Sequence, residues 1–286
     1  MTQMTSTTEI INLNASSVRN RVLVLMAQVA LTPVALEVVD LPTRSGTINF
    51  LGSALSISLS ADSLLLVLMP VLTCAGVDWV LRDHPDVRGG EIPYLFPFWI
   101  APGFAALTLA WLLTRIPTWS LWVTVLLVGL ITIATLVFAE YVALSPYARG
   151  YAVARLMLTG VSYAIAFGLF TLIYSARERS VISATLSALV AFGLALDLMA
   201  PHIIGLGTAA TFSLVVGLMV GEATWALNYW NLSNWSAGVL LLAVLYVMTG
   251  LAQQYVQDRL TRGVLIEFGV VAAIATFIAW QLANVH

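Results

Sequence analysis

Residues 119–144 read WSLWVTVLLVGLITIATLVFAEYVAL, an unbroken apolar run whose only charge is Glu140. At about 1.5 Å per helical residue, such a stretch exceeds the roughly 30 Å hydrocarbon core of a bilayer. A helix that is apolar on every side is either the centre of a large core or a membrane span, and the flanking sequence decides between them. Comparable runs fall at 22–39, 63–81, 94–114, 151–175, 180–200, 207–230, 237–257 and 264–284. The breaks carry turn and charge signals: Leu41-Pro42-Thr43-Arg44, Arg115-Ile116-Pro117, Ser145-Pro146-Tyr147, Arg177-Glu178-Arg179, Pro201-His202 and Asp258-Arg259-Leu260-Thr261-Arg262. Of 286 residues 60% are hydrophobic and 9% charged, against about 45–50% and about 25% in soluble domains. No aqueous surface can be made from that composition, so the apolar side chains face lipid. The expected fold class is all-α, a polytopic transmembrane helix bundle of about nine spans. A polar tail over 1–20 precedes a single transmembrane helical domain over 21–286, which carries a short polar loop at 82–93.

Net charge is −2, too small a field to recruit nucleic acid. All 12 basic residues are arginine, which leaves no lysine amine for imine chemistry. Cys74 is the only cysteine, so neither an intrachain disulfide nor a cysteine zinc site can form. The first apolar run, Val22 to Val39, is longer than a signal-peptide core and is expected to be a retained span. The positive-inside tendency sets the expected orientation. With the N-terminus cytoplasmic, Arg19, Arg21, Arg82, Arg88, Arg149, Arg155, Arg259 and Arg262 lie inside, against Arg44, Arg115, Arg177 and Arg179 outside. The expected location is the plasma or inner membrane of the cell. Tyr94, Trp99, Trp119, Trp122, Tyr229, Trp230 and Trp235 fall near span ends, where aromatic rings prefer the headgroup level. Ala54 to Ser60 alternates with period two, a short strand signal that suits a small hairpin, and Ser60 or Asp62 is placed to cap the second span. An echo between Val128-Gly129-Leu130 and Val216-Gly217-Leu218 is attributed to chance in a small apolar alphabet.

Ionisable groups inside spans cost at least about 2.5–3.5 kcal/mol to insert, so they are the informative residues. Glu140 and Arg155 lie at similar distances on either side of the turn near Pro146, a spacing that predicts an ion pair, either structural or acting as a proton-linked latch. Asp78, Asp197 and Glu267, with Gln253 and Gln254, suggest a polar inner layer, or else groups near enough to the interface to stay wet. Glu222 shares a helical face with Leu218, Trp225 and Tyr229, and an acid beside Trp225 and Tyr229 suits a cationic or sugar-like ligand. The competing reading makes Gly217 and Gly221 a close-packing face, with Glu222 bonded to a neighbour. The loop from Arg82 to Glu91 offers His84, Asp86 and Glu91, but in no known metal spacing, and reads as solvated. His202 and His286 are isolated.

No Walker loop, His-Glu-x-x-His, Gly-x-Ser-x-Gly or Cys-x-x-Cys-His occurs, so no catalytic residue, metal site or cofactor is assigned. Three functions stay open. The favoured one is a non-enzymatic subunit or scaffold of a membrane complex, because the loops are too short for a soluble catalytic domain. The others are a small-solute or proton-coupled carrier using intramembrane carboxylates, and an intramembrane enzyme acting on lipid through residues 78–91. Expected partners are the lipid bilayer and either other membrane proteins or further copies of the chain, with no nucleic acid.

Overall fold

The computed structural model describes the backbone of residues 2–39, 44–50, 53–176, 179–199, 204–230 and 232–284, and side chains within these except at 2–17, 44–50, 53–59 and 282–284. The chain forms two compact units, Met1–Tyr151 and Ala152–His286. Among the described residues nine helices are long and apolar enough to cross a membrane, which makes this a multi-pass helical membrane protein.

In the first unit, helix α1 covers Thr2–Val38, so the polar tail continues the helix that becomes the first span, Val18–Val38. Strands β1 (Arg44–Phe50) and β2 (Ser53–Leu59) pair antiparallel, Arg44 opposite Leu59 and Phe50 opposite Ser53. The alternating segment is therefore half of a hairpin. Helix α2 (Ala61–Leu81) starts at Ser60, whose hydroxyl accepts from the Ser63 amide while the Ser63 hydroxyl caps the Ser60 amide. Of the two capping candidates the fold uses Ser60, because a reciprocal box satisfies two otherwise orphaned donors. A single turn, α3 (Pro85–Arg88), leads to a 3-10 turn at Phe96–Trp99 that runs into α4 (Ile100–Arg115), and α5 (Trp119–Ala143) follows. Helix α2 packs on α1 and α4, and α5 on α4 and α1. Leu25, Met69, Val77, Ala106, Leu109 and Ile133 form the buried seam.

The second unit holds α6 (Tyr151–Ser175), α7 (Ser180–Leu198), α8 (Leu206–Leu227), α9 (Asn234–Val256) and α10 (Arg262–Asn284). Helices α7 and α8 form its tightest pair, and glycine explains why. A Cβ at Gly217 would stand 2.8 Å from the Ala188 carbonyl oxygen, and one at Gly221 3.0 Å from the Ala188 methyl. In lipid, where no hydrophobic force brings helices together, such small residues permit the close backbone approach that packing requires. Asn228, just past α8, donates to the Ser183 hydroxyl at 2.7 Å and ties that end of α8 to the start of α7. Tyr174 closes the same end from α6, its hydroxyl donating to the carbonyls of Leu227 (3.2 Å) and Trp230 (3.0 Å). Helix α9 packs on α7, α8 and α10, while α10 has α9 as its principal neighbour. Helix α8 ends at Leu227, three residues short of the expected 230, because Asn228 and Tyr229 turn out of the helix.

Candidate functional site

Within the second unit, several of the polar residues expected inside the spans meet at one helix end. Arg155 and Ser162 are two turns apart on one face of α6 and meet the last turn of α7. There the Arg155 guanidinium donates to the Leu198 carbonyl at 2.8 Å. Gln253, from α9, donates to the same oxygen at 3.0 Å. The last carbonyls of a helix lack intrahelical donors, and within a membrane they must be satisfied by protein. Both donors on Leu198 serve that need, and the arginine also complements the negative end of the helix dipole. Asp197, only 3% exposed, accepts a 3.4 Å hydrogen bond from the buried Ser162 hydroxyl. Of the residues expected here, Arg155, Asp197 and Gln253 are brought together, and Ser162 joins them. A serine in an apolar helix carries no signal of its own; only its spacing from Arg155 could have pointed to it.

Glu140 is fully buried in α5 of the first unit, whereas Arg155 belongs to the second. Glu267 is exposed on α10, and Asp78 is half-buried in an ion pair with Arg82 one turn on. Leu218 (56%) and Trp225 (44%) are exposed on α8 together with Glu222, and Tyr229 (76%) is exposed just beyond the end of that helix. The Trp225 indole N–H donates to the Tyr229 hydroxyl at 3.4 Å. Gly221 faces α7, which turns Glu222 out of that contact; it lines the rim of an open groove of about 420 Å³ between α7 and α8, with Ala184, Thr185, Ala188, Leu218 and Trp225. Arg177, Glu178, His202 and His286 lie outside the described residues, as does the turn at 41–43.

The loop after α2 is knitted more closely than a solvated loop would be. Arg21 of α1 forms a 2.6 Å ion pair with Asp83, donates to the Trp79 carbonyl and lies over the Trp79 ring at 4.7 Å. Arg88 pairs with the other oxygen of Asp83. His84 is buried, packs edge-on against Tyr141 at 4.7 Å, and caps α3 by accepting the Asp86 amide through Nδ1 at 3.3 Å. Burial lowers the His84 pKa, opposed by the Asp86 carboxylate. The expectation of a solvated loop is thus revised at His84 and Asp83, whose partners on α1 and α5 are distant in sequence. The arrangement anchors the loop through neutral imidazole and paired charges.

Two further open grooves flank α10. One, of about 390 Å³, is lined by Tyr163, Tyr246, Val271 and Ile274; the other, of about 510 Å³, by Met219, Val247, Met248 and Ala272. Both are walled almost wholly by apolar side chains. Residues 41–281 match a protein family described as "Protein of unknown function (DUF5656)". No curated protein and no solved structure matches the chain.

Proposed function

We propose, from the premise that this chain belongs to the DUF5656 family, that it is a non-enzymatic subunit or scaffold of a membrane complex. The observation that carries this reading is the pair of apolar grooves beside α10, a span whose principal neighbour is a single helix. Ile266, Val270, Ile274, Phe277 and Trp280 leave most of that helix exposed. Small-residue and aromatic grooves of this kind match the shape of another transmembrane helix, and helix association in lipid is driven by such packing. The polar groups of the second unit support the same reading, since Arg155 and Gln253 spend donors on the end of α7.

Extraction into native-lipid discs followed by native mass spectrometry tests this. Particles heavier than one chain, with partner helices cross-linking to Ile274 or Val247, are expected. A particle of one chain that alone moves protons or a solute across liposomes would instead establish the carrier.

A further inference from the structure

We propose that Glu222 is the recognition point for a transmembrane helix of a different protein carrying arginine or lysine at the matching depth. This rests on the complex reading above and names the chemistry of one contact within it. Glu222 lies on α8 one and a half turns before Leu227, about 7.5 Å inside that end. The exposed rings of Tyr229, Trp230 and Trp235 mark the nearby interface. Among the described residues no hydrogen bond or ion pair reaches Glu222, and its side chain faces outward.

A lipid-facing carboxylate can often escape by bending its chain to water, but here helix geometry opposes it. Side chains on a helix tilt toward its N-terminus. At Glu222 that direction leads toward the middle of the bilayer, away from the nearer water. The adjacent C-terminal end of α8 also carries negative partial charge, which opposes a carboxylate. The other lipid-facing acids differ. Glu267 is near the start of α10, so its side chain leads to the nearer interface and the dipole favours it; Glu37 is next to the last residue of α1. Glu140 and Asp197 are buried in protein.

No described residue supplies a charge to compensate an ionised Glu222, so the proposed compensation comes from outside the chain. A lipid ammonium group is badly placed, because headgroups lie at the level of Tyr229, about 10 Å above Glu222 along the axis. A second copy is badly placed too. The sequence has no lysine, and its arginines occupy loops or span ends, except Arg21 and Arg155, which are engaged with Asp83 and Leu198. A foreign helix seated along the open α7–α8 groove can bring a basic residue to the required depth beside Glu222.

The full-length protein in its native membranes, with a photo-cross-linking amino acid at Leu218, tests the assignment. An adduct with a second membrane protein is expected, its linked peptide carrying Arg or Lys within an apolar run. Glu222→Gln is expected to lower adduct yield on the order of tenfold; Glu222→Asp, which keeps the charge, and Glu267→Gln retain it. Glu222→Arg combined with exchange of the partner's basic residue for Glu restores it. Melting temperatures of the purified variants matching the wild type show that folding is intact. Adducts with lipid alone, adducts with a second copy, or a yield indifferent to Glu222→Gln would overturn the assignment. If partners still co-purify in that last case, the complex stands and only the role of Glu222 falls; single-chain particles would remove both.

Discussion

His84 shows how one side chain couples a membrane-edge loop to pH. It is neutral when its Nδ1 accepts the Asp86 amide, and burial against Tyr141 resists its protonation. The unfolded chain protonates near the ordinary value of 6.5, while the folded chain resists until lower pH. The contribution of His84 to stability is therefore fully present above about pH 6.5 and is lost as pH falls through the window below it. Melting temperature in detergent is expected to drop between pH 7.5 and 5, and His84→Asn, which keeps the capping acceptor, is expected to flatten this dependence. An unchanged slope in the variant would assign the pH response elsewhere. Arg155 is the second residue with a readable role. Arg155→Met leaves the Leu198 carbonyl with Gln253 as its remaining described donor and should cost about 1–3 kcal/mol. Gln253→Leu should cost less, because it removes no charge from the end of the helix. Denaturation of the two variants and their double mutant measures both values and their coupling.

Along their length helices α7 and α8 are held by surface relief, with the Asn228–Ser183 hydrogen bond at one end. At Gly221 an added side chain meets Ala188 and the Ala184 carbonyl, whereas at Gly207, in the first turn of α8, nothing lies within 4 Å. Gly221→Val is expected to destabilise the protein by about 1–3 kcal/mol through overpacking. Gly207→Ala is expected to be neutral or to stabilise it by about 0.4–1 kcal/mol through the unfolded chain. Thermal stability of the purified variants tests both, and equal effects would mean that the helices do not rely on close approach. The same packing explains why Glu222 faces outward: one helix face is committed to α7 by glycine, so its neighbour in sequence must point elsewhere.

Across the whole molecule, arginine distribution sets the expected orientation. If nine spans alternate, eight arginines are expected on the side of the N-terminus and four on the other, which predicts a cytoplasmic N-terminus and an outer C-terminus. Because Cys74 is the only native thiol, Cys74→Ser gives a blank background. In intact cells a cysteine at Arg115 should then react with an impermeant maleimide, and one at Arg88 should react only after lysis. The opposite pattern would invert the topology. The two compact units give the protein separate places for its polar chemistry: a charged loop clamp around Asp83 in the first, and a capped helix end around Leu198 in the second.

Span number and position were legible in the sequence because the bilayer imposes a length and a polarity on every crossing, and both are local properties of the chain. The fifth span, 151–175, matches its helix residue for residue, and the alternating segment before the second span is a strand of the hairpin. The placing of Leu218, Glu222 and Trp225 on one face of α8 was legible for the same reason, since helical periodicity is local, whereas Tyr229 lies past the end of that helix. Which way that face points was decided by tertiary packing: Gly221 against Ala188 leaves Glu222 outside. Likewise, nothing local says that Arg155, Ser162 and Gln253 converge on the end of α7, or that Arg21 reaches Asp83. These contacts join residues far apart in the chain, and their partners are chosen by helix neighbours and rotation about each axis, which apolar spans of nearly uniform composition do not encode in any short window.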